Sequence, residues 1–122
     1  MTKTLHNDIF DLGLEELKDT NIMTVCSQAP ATRTEAVSTY DLADVAVTGA
    51  TDIVVSDGDT NGRKARMAAK TAVAVDHDGT ATHIALCDAT RLLLVTSCTS
   101  QVLTTGNTIN FPAFDLEFAD PV

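Results

Sequence analysis

The amino-acid sequence predicts a mainly β protein, an antiparallel β-sandwich or barrel of about seven to eight strands with one N-terminal amphipathic α-helix. Two observations predict this class. Short apolar or alternating runs recur between residues 21 and 118, and turn signals separate them about every 8–12 residues. A helical period is confined to the first part of the chain. The 122 residues suffice for one core, so residues 1–122 are predicted to form a single domain.

The helix is predicted over about residues 4–18, where acidic residues alternate with apolar ones. The apolar positions that recur at helical spacing are Leu5, Ile9, Phe10, Leu14 and Leu17. Thr4 or Asn7 is expected to cap the N-terminus, because both side chains can accept a hydrogen bond from a free backbone N–H. Gly13 is either a weak point of this helix or a site of close packing.

The first strand is predicted at 22–26, an apolar run short enough to be buried on both faces of a sheet. A loop with Pro30 follows it. Residues 35–44 fit either a helical turn or an irregular connection. Two further short strands are predicted at 45–47 and 53–55.

The middle of the chain begins with a dense turn signal at 57–62, followed at 63–75 by strict alternation of apolar and polar residues. Such alternation predicts one half-buried strand. The face predicted to be buried carries Ala65, Met67, Ala69, Thr71, Val73 and Val75. After a predicted hairpin turn at 76–79, the remaining runs of this region are 80–87, 91–98 and 101–104.

The last strand is predicted at 108–118, and its apolar residues change parity midway. Ile109 and Phe111 share one face, whereas Phe114 and Phe118 share the other. The change falls at Pro112 and its successor, and proline cannot donate to a ladder. A β-bulge is therefore predicted there, so that both halves point into one core.

Charge and composition exclude several classes of function. Seventeen Asp and Glu oppose eight Lys and Arg, and the net charge of −9 repels phosphate backbones, which argues against nucleic-acid binding. No apolar run is long enough to cross a membrane, and no secretory leader is expected. Three cysteines are too few for a disulfide framework and are expected to be reduced thiols.

A calcium loop is one interpretation of the acidic turn. Asp57, Asp59 and Asn61 alternate before Gly62, as in the first half of an EF-hand loop. The twelfth position is Ala68, where that motif needs a glutamate, so an EF-hand is rejected. The alternatives are a looser calcium site and an ordinary acidic turn.

A second polar group flanks the predicted turn at 76–79 and comprises Asp76, His77, Asp78 and His83. Zinc needs three or four convergent ligands with recognisable spacing, and two histidines that flank a turn favour hydrogen-bonded or solvent-facing side chains over a metal site. No motif of a catalytic nucleophile or phosphate-binding loop occurs, so the chain is predicted not to be an enzyme. The enzyme alternative would need a pocket in which His77 or His83 meets a cysteine or an aspartate.

Half of the basic residues lie within eight positions, at Arg63, Lys64, Arg66 and Lys70. Alternation places Lys64, Arg66 and Lys70 on one face of the predicted strand. One interpretation is a solvated face that guards a strand edge against pairing. The other is a docking surface, acting together with the N-terminal helix, for another copy of the chain or a larger acidic partner.

A likeness to known proteins is carried by the N-terminal helix and by the segments 26–30, 62–64, 79–86, 92–94 and 105–117. In these segments the sequence resembles a family of small virion structural proteins of tailed bacteriophages. The resemblance implies a virion protein made in the bacterial cytoplasm, either a capsid decoration (cement) protein on the outside of the head or a minor tail or fibre-associated protein. Its implied partners are the major capsid protein and itself, as a homotrimer, with no nucleic acid and no membrane.

The competing interpretation from another class is a small calcium- or carbohydrate-binding β-module. Aromatic residues make up 4% of the chain, which counts against stacking on sugar rings. No cofactor is expected, apart from calcium under this alternative.

Overall fold

The computed structural model of the chain describes residues 5–120. Its helical segments are α1 (Asn7–Glu16), a 3-10 turn (Leu17–Asp19), a π-helical turn (Glu35–Thr39) and α2 (Gly49–Asp52). Its strands are β1 (Ile22–Cys26), β2 (Asp41–Ala46), β3 (Ile53–Asp57), β4 (Arg63–Met67), β5 (Lys70–Ala74), β6 (Gly79–Cys87), β7 (Leu92–Leu103), β8 (Thr108–Phe111) and β9 (Phe114–Phe118). The predicted class, mainly β with one N-terminal helix, is confirmed.

The strands form three antiparallel sheets, with the orders β2-β1-β6-β7, β3-β4-β9 and β5-β8. The main core lies between them, and Met23 and Val25 of β1 enter it from the four-stranded sheet while Met67 of β4 enters it from the three-stranded sheet. On its other face β1 contributes Cys26 to a small second cluster beneath the π-helical turn, which contributes Ala36. The prediction that β1 is buried on both faces is confirmed.

The helix α1 begins later than predicted, because His6 is its N-cap: its imidazole Nδ1 accepts the backbone N–H of Asp8 at 3.1 Å. Asn7 lies inside the helix and does not cap it, and Thr4 lies outside the described residues. Leu5 and Ile9, which were predicted on the core face, are exposed. At 100° per residue Ile9 falls on the side away from Leu14, which is fully buried, whereas Leu5 precedes the N-cap and lies outside the helix.

Gly13 is a site of close packing. A Cβ atom at this position would lie 3.3 Å from Cε2 of Phe118, the last residue of β9. The Phe10 ring contacts the same ring, at a centroid separation of 6.2 Å. The helix is thereby seated against the end of the three-stranded sheet. Among residues 5–120, no helix is long and apolar enough to span a membrane.

The predicted strands 63–75 and 108–118 pair with each other, but each is interrupted. Met67 pairs with Phe114 at the end of one ladder, and Lys70 pairs with Phe111 at the start of the next. Two residues on each side separate the two ladders, so the register continues across the gap. Instead of the predicted bulge at Pro112, the ribbon breaks there and its two halves join different sheets. The missing N–H of proline accounts for the break.

The prediction of a single buried face along 63–75 is wrong at Ala69 and Thr71, which are exposed. The break removes Ala69 from both ladders, and a bulge follows at Ala72, whose φ is 55°. The Ala72 N–H donates to the side-chain oxygen of Asn110 at 2.9 Å. After the bulge the alternation resumes with Val73 buried.

The predicted hairpin at 76–79 is also wrong, because β5 and β6 belong to different sheets. The segment crosses between sheets and is anchored on β2, where the carbonyl of Leu42 accepts the N–H of Asp76 at 2.7 Å and that of His77 at 3.1 Å. The predicted runs 91–98 and 101–104 form one long strand, β7. The turn at 57–62 joins the paired strands β3 and β4.

Candidate functional site

The basic residues at the start of β4 contact carboxylates of the same chain. The Arg63 guanidinium donates to Asp11 of α1 at 2.9 Å and to Asp57 at 2.8 Å. The Lys64 ammonium donates to Asp59 at 2.8 Å. These contacts link α1, β4 and the acidic turn, and they neutralise two of the four predicted docking cations.

The other two cations are paired as well. Arg66 donates to Asp115 of β9 at 3.0 Å, and Lys70 donates to Asp52 at 2.8 Å. Because of the break, Lys70 lies in β5, and the predicted single stripe is divided between two sheets. Strand β4 has a partner on both sides, so its charges do not guard an edge. Arg66 has the most accessible cation of the four, with 57% of its side chain exposed.

The acidic turn predicted as a calcium loop directs its oxygens to other partners. Asp59 accepts the Lys64 ammonium, whose hydrogen bond and charge lower the pKa of Asp59. The backbone N–H of Asp59 donates to Glu117, and the side-chain oxygen of Asn61 accepts the N–H of Asp120, both at 2.8 Å. Each contact holds the turn closed without an ion. An ammonium at this carboxylate also competes with a metal.

The polar residues around 76–83, for which the sequence favoured ordinary side chains over a zinc site, are not brought together as ligands in the described part of the chain. The Asp78 carboxylate accepts the N–H and the hydroxyl of Thr105, at 2.6 and 2.7 Å. His83 pairs through Nδ1 with the Thr82 hydroxyl at 2.8 Å. His77 lines a cavity of about 260 Å³, which Asp78 also lines.

Asp76 instead joins a group that the sequence did not reveal. Ligand oxygens of Asp41, Asp44 and Asp76 lie within 4.8 Å of one another. Residues three apart in a regular strand point to opposite faces, so Asp41 and Asp44 gave no signal. Only a bulge in β2 would place both on one face, and no residue pattern in the sequence predicts that bulge.

Burial and like charge perturb this group strongly. Asp41 is 6% exposed. Its burial, a hydrogen bond that its protonated carboxyl donates to Asp44, and the charges of Asp44 and Asp76 raise the pKa of Asp41 to about 8. A strongly raised carboxyl pKa in a recess is typical of functional sites, although structural networks also produce it.

The thiols are poorly placed for nucleophilic chemistry. Burial raises the pKa values of Cys26, Cys87 and Cys98, which keeps these groups protonated and unreactive at neutral pH. Cys98 lines a largely apolar cavity of about 240 Å³, between β7 and β8. No histidine or carboxylate among the described residues lines that cavity. The enzyme alternative therefore has no pocket around Cys98. The cavity that His77 lines, however, also contains Asp41 and Asp78, the combination of histidine and aspartate which that alternative requires.

Ile9 and Leu12 lie on the outer side of α1, and Leu5 lies just before its N-cap; we call these three exposed residues the apolar stripe. The exposed fractions of Leu5, Ile9 and Leu12 are 39%, 55% and 72%. The spacing i, i+3 places Ile9 and Leu12 on one face of α1, opposite the face that Leu14 buries, whereas Leu5 precedes the helix. The face of α1 that carries Leu14 packs within the fold, and the opposite apolar face is available to a binding partner.

Strand β7 forms one edge of the four-stranded sheet, paired on one side with β6. Its 12 residues contain no charged residue and no proline. Val102 on this strand is 75% exposed. The register against β6 shifts twice along β7, and such bulges are one of the devices that protect edge strands. Charge and proline are absent from β7, so its exposed end around Val102 still favours pairing with another chain.

Comparisons with protein-family models, with curated proteins and with solved structures found no match for this chain. The resemblance to phage virion proteins therefore stays a prediction from the sequence.

Proposed function

We propose that the chain is a capsid decoration (cement) protein of a tailed bacteriophage, which binds the outside of the head and stabilises it by non-covalent contacts. The observation that carries the docking function is the apolar stripe formed by Leu5, Ile9 and Leu12. The head surface as location and the major capsid protein as partner follow from the sequence resemblance.

The size of the stripe supports binding in several copies. Full burial of an aliphatic side chain is worth about 1.5–3 kcal/mol, so covering the exposed parts of three contributes roughly 4 kcal/mol. Association also costs several kcal/mol of translational and rotational freedom, so one copy alone binds more weakly than about 1 mM. Linking several copies makes the later contacts intramolecular and raises the overall affinity by orders of magnitude.

The charge of the surface favours a basic partner over a second copy at this stripe. Of the seven basic residues described, Lys18, Arg63, Lys64, Arg66, Lys70 and Arg91 contact carboxylates of the same chain. The seventh, Arg33, donates to the backbone carbonyl of Asp88 at 2.7 Å. A chain of net charge −9 whose cations are engaged in this way is complementary to an apolar recess rimmed by lysine and arginine.

Self-association is assigned to the other exposed feature, the β7 edge. We expect the purified protein to be a trimer by light scattering and Val102→Lys to be a monomer, because a charge on an edge strand opposes pairing. Val54→Lys, at another exposed valine, is the matched control and should leave the trimer intact. A wild-type monomer would remove β7 from the proposal.

Docking is tested by measuring occupancy on purified heads that lack the protein. The double variant Ile9→Glu/Leu12→Glu should lose binding and keep its fold, since both side chains already face solvent. Val54→Glu places the same charge beside Arg66, on the outer face of β3 and β4, and should still bind.

The opposite pattern, loss of binding only with Val54→Glu, would assign docking to the predicted basic residues instead of the helix. Retention by both variants would contradict docking through either surface. Binding to isolated tails but not to heads would support the minor tail protein.

A further inference from the structure

We propose that Asp41, Asp44 and Asp76 form a calcium-binding site that joins β2 to the crossing segment after β5. The site is distinct from the acidic turn at 57–62, and it stands independently of the proposed docking function.

A β-bulge at Leu42 builds the site. Val25 of β1 pairs with Ala43, but its neighbour Cys26 pairs with Asp41, so Leu42 is an extra residue in β2. Asp44 pairs with Thr24, two positions before Cys26. Because Thr24 and Cys26 point to the same side of β1, the bulge turns both aspartates to that side.

The same bulge positions the third carboxylate. The Leu42 carbonyl accepts the N–H groups of Asp76 and His77, and Ala43 forms a bridge with Val75. Three backbone contacts therefore hold Asp76 against β2 independently of any carboxylate interaction. Bulges commonly re-aim side chains at functional sites in this manner.

An unpartnered buried oxygen points to a ligand. Asp41 is 6% exposed, and its Oδ1 has no hydrogen-bond partner in the structure. Among the described residues, no lysine or arginine forms a salt bridge with Asp41, Asp44 or Asp76. A cation that accepts all three carboxylates would satisfy this oxygen and cancel the repulsion between them.

The dimensions and the ligand chemistry favour calcium. Calcium binds oxygen at about 2.3–2.6 Å, so ligands on opposite sides of the ion are about 4.6–5.2 Å apart. The three carboxylates, all within 4.8 Å of one another, fit on such a sphere. Asp41 also lines the cavity of about 260 Å³, together with the hydroxyl residues Ser27 and Ser38. Asp44 and Asp76 do not line this cavity, so it supplies the water ligands of a coordination number of 6–8 from the Asp41 side of the group.

The experiment measures the melting temperature of the full chain in EDTA and then with Ca²⁺ in excess of the chelator, at about 1 mM free ion. At pH 7.5 we expect the wild type to gain about 5 °C, because the ion binds the folded state alone. Asp41→Asn keeps the shape and removes one charged ligand, so its response to calcium should disappear. Equilibrium dialysis should give one bound Ca²⁺ per wild-type chain and none per variant.

Asp59→Asn is the matched control, because it removes a carboxylate from the acidic turn instead. It should keep the full response to calcium. Loss of the response in this variant, with retention in Asp41→Asn, would move the ion to the turn and overturn the proposal. No response in the wild type would also overturn it, and the three carboxylates would then be relieved by a proton shared between Asp41 and Asp44.

Discussion

Two acidic regions of this chain have similar composition and opposite electrostatics. In the turn at 57–62, Asp57 and Asp59 each contact a cation of β4, and the pKa of Asp59 is lowered. In the cluster on β2, Asp41 faces two further carboxylates and its pKa is raised to about 8. A motif of alternating acids marked the first region, whereas only the fold reveals the second. Charge balance in three dimensions, not the density of acids in sequence, separates a closed turn from a candidate ion site.

The difference follows from solvent and partners. The Asp59 side chain is 69% exposed, so water and Lys64 share its solvation. Asp41 has lost most of its water and receives like charges in return, which disfavours its ionised form. The turn is therefore stable in the absence of any ion, whereas a bound cation would stabilise the β2 cluster.

The largest expected effect is a pH dependence of stability in EDTA. The pKa of Asp41 is about 8 in the folded state and 3.8 for the unperturbed group. Its favourable contribution is complete below the unfolded pKa and is lost as the pH rises through the folded pKa. Between pH 6 and 9 we expect the free energy of unfolding to fall by roughly 2–3 kcal/mol, measured by urea denaturation.

Asp41→Asn is the control for this titration, because it cannot ionise and retains every other group. Its stability should change little over the same pH range and should exceed that of the wild type at pH 9. Parallel curves for the two proteins would show that Asp41 ionises normally, and the contrast between the two acidic regions would fail.

Much of the fold could be predicted from local pattern. The apolar run of β1, the alternation in β4 and the parity change around Pro112 each reported a real structural feature. The sequence did not show that 63–75 and 108–118 pair with each other and break at the same level. The break depends on the pairing of the two strands, because Pro112 offers no N–H to the strand opposite it. The sequence of either strand alone does not show where the pairing stops.

The site was less predictable for the same reason. Asp76 was singled out with its neighbours, but its real companions lie 32 and 35 residues earlier in the chain. Asp41 and Asp44 were missed because residues three apart share one face of a strand only where a bulge lies between them. The basic residues were found correctly by their density, yet their partners on α1, β3 and β9 appear only in the folded chain.

The smallest expected effect comes from the turn. Asp59→Asn removes the nearest partner of Lys64, but the ammonium keeps a second carboxylate, Asp115, at 3.7 Å. An exposed ion pair gains little because water screens it, so we expect the melting temperature at pH 7 to fall by about 1 °C or less, and by nothing at high salt. The lowered pKa of Asp59 means that its contribution is present above the unfolded pKa of 3.8 and is lost as the pH falls through the folded pKa, so the difference between wild type and variant should shrink as the pH falls below 3.8. Thermal melts at pH 7 and at a series of pH values below 3.8 measure this change. A drop of many degrees at pH 7 would instead mean that the turn supports the sandwich as strongly as its core does, and the two acidic regions would then differ in exposure but not in structural importance.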